Sequence, residues 1–571
     1  VRIKRAAKVG ASLAALVLAA SACGGGGEDD QNEETLADIP AIDINEKDRS
    51  ELKDGGQFVW GLNSYPSQYQ ANHTQGNEMN ATRILNAVMP RAHNYDEKGQ
   101  PHPDEDYVLS SEASDDGSTV TLELNPDAVW SNGEPITWKD YQAQAETAGG
   151  HRDNANKFDV GDTTGYERIG DVEKGEDKFE AILQFDTPFS EWPRLFDILY
   201  PAEYMEDPKK FNEGYQEQIP VTAGPFGDAE FDKTSESVTF TRNPDWWGDT
   251  AKLETFVFRS YGQDALGKVM ANGELDAYDL SYDAAAYDQL KDVEGVRLAE
   301  AVENSYRHLT LNGGEDRPTA DVKVRNAIVH AIDRDKMAAA TLDGIDWPTD
   351  PTANRLIISS QTGFQYNGEG YGEFDPEKAG ELLDEAGWTR DSEDEVRTKD
   401  GEKLQLKWVL PADIQNSADE AEIAKAQLEE IGVGVQVDTV PTNVYFTDYI
   451  VPGNYDATTF SYIATNPYAG DSAENFVGPV GEDENGDPKW GNNNNNHSTD
   501  EINEGFDELS KIQDDEEYAA KANEIDRLLW EEGMAVPLFQ RPGHKAVNNQ
   551  IANWGAYGLA SPDYEDIGYL K

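Results

Sequence analysis

From Thr255 to Leu280 the chain compresses a strand, a helix and a second strand into one short unit. Phe256 and Phe258 alternate with polar neighbours, the pattern of a half-buried strand. Asp264 is a good helix cap, Leu266, Val269 and Met270 share one helical face, and Gly273 supplies the stop. Asp276 to Leu280 then reads as the second strand. A repeating strand and helix alternation of this kind favours layered α/β lobes over a helical bundle or a β-sandwich.

The same reading extends along the chain. Gln57 to Trp60, Thr119 to Leu124 and Ser237 to Thr241 carry strand alternation, with Val120, Leu122 and Leu124, then Val238 and Phe240, on the buried face. Asp321 and Asp333 are placed to cap two successive helices, the first striped by Val324, Ile328, Ala331 and Ile332. Asp375 followed by Pro376 opens another that Gly387 closes. Helices are also predicted over Glu422 to Ile431 and Glu516 to Glu532, with a strand over Val433 to Val437. Gly481 to Asp500, including the run Asn492 to Asn496, reads as a solvated loop. A chain of 571 residues is long enough for about three or four domains.

The N-terminus bears on compartment. Arg2, Lys4, Arg5 and Lys8 precede an uncharged, mostly apolar run from Val9 to Ala22, the layout of a secretory signal and too short to span a bilayer. Leu18 to Cys23 resembles a bacterial lipobox, and Cys23 is the only cysteine in the chain. A lone thiol in a secreted protein needs a use, and lipidation at the cleavage point supplies one. Residues 23–54 start with four glycines and stay polar, so they are expected to form a flexible tether between a lipid anchor and the body. The formal net charge is −64, from 111 acidic and 47 basic residues, which repels phosphate backbones and excludes nucleic acid as a partner. With 12 Trp and 25 Tyr there is still material for cores and an aromatic-lined cleft.

No catalytic constellation stands out. The sequence lacks the G-x-S-x-G elbow, the H-E-x-x-H zinc motif and the phosphate-cradling G-x-x-x-x-G-K-[ST] loop. His73, His93, His102 and His151 lie scattered in polar surroundings and read as surface residues, so no metal and no cofactor is expected, and the chain is read as no enzyme.

Several segments, taken in order, resemble the extracellular solute-binding proteins that serve peptide and nickel ABC importers. They are Asn125 to Asp140, with Asn132 and Trp138 departing from the usual letters, and Ala223 to Phe226 with Asn243 to Gly248. Gly273 to Ala277, Asp321 to Arg334 and Phe374 to Trp388 complete the set. Local structure accounts for parts of them: Pro244 makes a turn, Trp246 and Trp247 bring apolar area, and Arg325 and Arg334 read as ion-paired residues.

The resemblance implies an α/β, periplasmic-binding-protein-like fold of the large three-domain class, two lobes joined by a hinge. On that reading 1–22 is the signal and 23–54 the tether. Lobe 1 combines 55–93, 222–312 and 534–571 with an accessory domain at 94–221, and lobe 2 is 313–533. It further implies capture of an oligopeptide or dipeptide in the interlobe cleft and delivery to permease and ATPase subunits by a monomer held at the outer face of the membrane. An envelope-biogenesis lipoprotein of the same fold, binding a glycan or glycolipid headgroup, is the alternative. In peptide-binding members an aspartate in the segment corresponding to Phe460 to Tyr468 holds the ligand amine; here Thr465 occupies that position and Asp471 lies nearby. The expected cleft residues are Asn63 and Tyr65 from the loop after the first strand, with Tyr462, Asn466, Tyr468 and Asp471 opposite.

Overall fold

The computed structural model describes residues 35–571 apart from 77, 413, 465, 483–485 and 487. The signal, Cys23 and Thr465 therefore lie outside the described residues. The first sheet has seven strands in the order Val296–Ala299, Lys545–Asn548, Ala277–Asp279, Gln57–Leu62, Thr255–Ser260, Ser237–Arg242, Phe226–Asp232. Its three central strands are parallel and the flanking ones antiparallel. The accessory domain holds a four-stranded antiparallel sheet in which Thr119–Leu124 has the predicted bounds. The third sheet runs Gly434–Val440, Gln405–Pro411, Ala457–Ile463, Val302–Leu311, Val536–Pro542, with the first three parallel. Among the described residues no helix is long and apolar enough to cross a membrane.

Strand pairing moves the expected lobe boundaries. Val302–Leu311 pairs with Ala457–Ile463 along seven successive residues, and Val536–Pro542 pairs with Val302–Leu311, so both strands belong to lobe 2. The sequence reading puts residues 302–312 and 534–542 in lobe 1, and their strand partners correct it. The chain instead changes lobes at two tight links, Glu300–Ala301 and Gly543–His544, each flanked by a strand of either sheet. The links touch: a β-carbon on Gly543 would sit 2.2 Å from the carbonyl oxygen of Ala301, so only glycine fits.

The expected tether does not extend over residues 35–54. Residues 35–54 lie along the body, because Ile39 and Leu52 bury their side chains. Ile39 joins the lobe 2 core with Val302 and Leu309. Asp43 pairs through backbone hydrogen bonds with Ala556, accepts from the backbone N–H of Glu300 at 3.2 Å and binds Arg297 at 2.9 Å. This segment thus crosses the hinge and touches both lobes.

The helix predicted from Glu422 begins earlier, at Gln415–Glu430. Its first turns carry little apolar signal because their buried contact is ionic: Glu420 is fully buried against Arg307, whose Nε and Nη2 approach it at 2.9 and 2.6 Å. The asparagine run is likewise no solvated loop. Asn493 and Asn495 are buried, and Asn493 Nδ2 donates to the carbonyls of Phe476 and His497 while Asn495 Oδ1 accepts from the Ala535 N–H. An amide side chain offers donors and acceptors together, so a row of them can replace regular structure as a backbone scaffold. Arg334, expected in an ion pair, is buried with its guanidinium on the carbonyls of Gly372, Thr352 and Pro537.

Lobe 2 also encloses Arg355 and Asp526, both side chains wholly buried and 3.0 Å apart. Asp526→Ala strands the guanidinium and is expected to destabilise the lobe by about 3–5 kcal/mol in urea unfolding, whereas Glu213→Ala, at the exposed Lys209–Glu213 pair, leaves the midpoint unchanged. In lobe 1, Glu565 Oε2 accepts from Trp246 Nε1 at 2.6 Å, and burial pushes its carboxyl from the ordinary 4.5 up to about 7. The folded form therefore holds this proton more tightly than the unfolded chain, and the stability it contributes is full below about pH 4.5 and lost as pH rises through about 7. Glu565→Gln, which keeps an acceptor for Trp246, should flatten the fall in Tm between pH 5 and 8, measured by thermal scans at a series of pH values.

Candidate functional site

The carboxyl ends of the parallel strands of both lobes converge on the hinge. In lobe 1, Asp279 ends its parallel strand opposite Lys545, which also stands opposite Ala299 at the link. In lobe 2, Ile463 ends its strand opposite Ser305, a few residues from the same link. Open α/β sheets hold ligands at such edges.

On the lobe 1 side a polar chain leads to the hinge. Helix Met79–Asn86, capped by the Glu78 carboxylate at the Ala81 N–H, sets Asn80 and Arg83 one turn apart. Asn80 Nδ2 donates to Asn63 Oδ1 at 2.9 Å, and Arg83 Nη1 donates to Asn80 Oδ1 at 2.9 Å. Arg83 also pairs with Asp279, which lies 3.2 Å from Lys545 Nζ. Lys545 then reaches across to Glu303 of lobe 2 at 2.8 Å. Burial opposes the charge on Glu303, but Lys545 first, then Arg83 and Arg541, hold its carboxyl below the ordinary range, so it stays ionised. Asn63 is thereby linked to the hinge, whereas Tyr65 packs against the lobe 1 core with its hydroxyl enclosed.

On the lobe 2 side, Tyr462 and Asp471 line a cavity of about 230 Å³ together with Asn304, Tyr306, Glu474 and Asn475. Burial raises the Glu474 carboxyl above its ordinary value, with Asn492 opposing. Asn466 shapes the rim: its carbonyl accepts from Asn304 Nδ2 at 3.1 Å and its Oδ1 accepts from the Tyr468 N–H at 3.0 Å. Tyr468 itself lines a larger cavity of about 730 Å³ between the accessory domain and lobe 2, shared with Trp192, Gln361, Asp515 and Tyr518. Ile414, Phe446 and Ile463 follow or end the three parallel strands of lobe 2 and are exposed there, an apolar lip that the sequence pattern did not reveal.

A latch joins the accessory domain to lobe 2. Glu191, 1% exposed, accepts from Tyr518 Oη at 2.5 Å and from the Gly470 N–H at 2.8 Å. Arg194 lies 3.3 Å from Glu191 and donates to Asp471 Oδ1 at 2.6 Å. Burial raises the Glu191 carboxyl, against the pull of Arg194. The structure therefore gathers Tyr462, Asn466, Tyr468 and Asp471 around two adjoining cavities and places Asn63 at the end of the hinge network. Arg83, Glu303, Lys545, Glu191 and Arg194 were not foreseen, because each becomes a site residue only through partners from distant elements. One signal was present: Lys545 is the only charged residue of its strand, ahead of Ala546 and Val547.

Residues 102–484 match the family described as bacterial extracellular solute-binding proteins, family 5, middle region. The oligopeptide-binding protein OppA of Mycobacterium tuberculosis H37Rv is 31% identical over 93% of this chain and 87% of its own length. LpqW of the same organism, a probable monoacyl phosphatidylinositol tetramannoside-binding protein, is 27% identical over 59% of this chain and 56% of its own. Among solved structures, the periplasmic EDTA-binding protein EppA superposes with a TM-score of 0.81 at 22% identity, covering 93% of this chain and 99% of that one. AppA from Bacillus subtilis, solved with a nonapeptide, gives 0.70 at 17% identity over 91% and 100%. Two sheets meeting at a double-stranded hinge, a match over most of the sequence and a near full-length relative together place this chain in the bacterial extracellular solute-binding proteins of family 5.

Proposed function

We propose that this solute-binding protein captures short peptides between its lobes and delivers them to the permease and ATPase subunits of an ABC importer. The observation that carries this reading is the match to OppA across 93% of the chain. The geometry agrees with it. Glu474 and Asp471, the latter also holding Arg194 of the latch, put carboxylates on the wall of this cavity that an amine can meet, and Tyr306, Tyr462 and the lip formed by Ile414, Phe446 and Ile463 offer apolar surface for side chains. The exposed backbone at the end of Ala457–Ile463 supplies strand-like partners for a ligand main chain. A glycan or glycolipid headgroup is the competing cargo, but the resemblance to LpqW covers 59% of the chain.

A screen of peptides of two to about six residues against the purified body should raise its Tm, since a ligand that binds only the folded state adds about 2.7 kcal/mol at a hundredfold excess over Kd. A shift with glycan or glycolipid headgroups and none with any peptide overturns the peptide reading. N-acetylation of a binding peptide is expected to weaken it about tenfold or more, the loss of one charge-assisted contact, and Asp471→Asn should erase most of that difference in calorimetric titration.

The same reading places the protein at the outer face of the membrane through a lipid on Cys23, whose position after a lipobox-like segment supports it. Cys23→Ala should release the protein to the medium with peptide binding intact; a variant that still partitions with the detergent phase rules the anchor out.

A further inference from the structure

The cavity of about 230 Å³ at Asp471 and Glu474 is smaller than the roughly 300–1,000 Å³ that ordinary ligand pockets occupy, and the cavity of about 730 Å³ beside it falls inside that range. One short segment divides them. Pro467, Tyr468 and Ala469 line the larger space, while Asp471, Ser472 and Glu474 line the smaller. At Gly470, between the two sets, the N–H donates to Glu191 Oε1, and a β-carbon would sit 2.2 Å from that oxygen, so the partition there is backbone alone. The larger cavity has walls of two origins. Trp192 and Pro193 of the accessory domain stand on one side, with Leu356, Ile357 and Ala519 of lobe 2 on the other. Leu356 and Ile357 belong to a core cluster against which Tyr462 of the smaller cavity also packs, so their position is fixed. Trp192 is half-buried, and its ring stands edge-on to His93 at 5.1 Å. His93 is itself buried and bonded to Ser111 at 2.9 Å, which makes that support rigid. Gln361 on the rim donates to the Pro467 carbonyl at 2.6 Å and accepts from the Ile358 N–H at 2.9 Å, so this amide is already satisfied.

Apolar walls that face open space forgo packing contacts until an apolar group fills it. The strand Ala457–Ile463 leads towards this space, through Ala464 on the smaller cavity to Pro467 on the larger. A ligand main chain seated at the end of that strand therefore lies within side-chain reach of both. We infer that the larger cavity receives a bulky apolar side chain of the bound peptide, aromatic or branched aliphatic, against Trp192, so that the accessory domain supplies one wall of the specificity site. This rests on the peptide reading above and names the residue class it favours. Because the walls belong to two domains, a side chain lodged between them also holds the accessory domain to lobe 2 beside the latch.

The test uses the purified protein with two pools of hexapeptides, one rich in phenylalanine and leucine and one in which glycine and serine replace them. The apolar pool is expected to raise the Tm more, and a phenylalanine peptide isolated from it should bind about tenfold or more tighter than its serine analogue. Trp192→Ala should bind the two alike, and Trp192→Phe should keep part of the preference. Location is read separately, by maleimide labelling of Ala520→Cys in a Cys23→Ala background, since Ala520 is exposed on the cavity wall and Cys23 is the only cysteine. At saturation the phenylalanine peptide should slow labelling more than the serine analogue does. Equal binding of both pools by the wild-type protein, or labelling that the two peptides slow alike, would overturn this assignment while leaving the peptide reading in place. A preference retained in folded Trp192→Ala but lost in Phe446→Ser would place the side chain on the lip and overturn it as well. Binding of neither pool would remove the peptide reading and this inference with it. The labelling needs no change at Trp192, so a folding defect in Trp192→Ala leaves a decisive measurement.

Discussion

Everything in the cleft depends on how the two sheets are stitched together. The chain enters lobe 2 after Val296–Ala299 and returns to lobe 1 after Val536–Pro542, each time through a link of two residues, and at Gly543 the links approach so closely that no side chain fits between them. Short paired links restrict relative motion to bending and slight twisting about one line. They also bring the carboxyl ends of both parallel strand sets to that line, so polar groups from either lobe meet without any long loop. The Lys545 to Glu303 contact bridges the two sheets within this region and ties the floor of the cleft to the hinge.

The second organising fact is where positive charge resides. Lobe 2 holds Arg307, Arg325, Arg334 and Arg355 in its interior, each satisfied by carbonyls, carboxylates or hydroxyls. Such buried groups contribute specificity of packing more than raw stability, and removing one partner is far costlier than never having had the pair. Arg307, Arg355 and Arg325 are paired with Glu420, Asp526 and Glu532, so the interior is close to neutral and the acidic excess of the chain lies on its surface.

Much of the fold was legible in the sequence because its signals are local. Asp321, Asp333 and Asp375 cap the helices they were expected to cap, and Thr119–Leu124 alternates as predicted. What local patterns could not convey is pairing across distance. Val302–Leu311 lacks alternation, being buried on both faces, so its membership of lobe 2 follows only from its partner strands. The early turns of Gln415–Glu430 look solvent-exposed until Arg307 is seen opposite Glu420. The asparagine run looks like a loop for the same reason, since its partners are carbonyls from other segments. In the candidate site, aromatic residues near Phe460 were readable from resemblance, whereas the latch of Glu191, Arg194, Tyr518 and Asp471 draws on three separated stretches and leaves no mark in any of them.

The segment between Ile39 and Asp43 has a mechanical consequence. It rests on the hinge itself, with Ile39 beside Val302 and Asp43 bound to Glu300 and Arg297. Any tension arriving through the residues upstream of it is applied close to the axis about which the lobes turn. Torque is force multiplied by lever arm, and here the arm is short. Drag or crowding that tugs on the N-terminal end therefore does little work on opening or closing, and the conformational equilibrium of the lobes is left to ligand and importer.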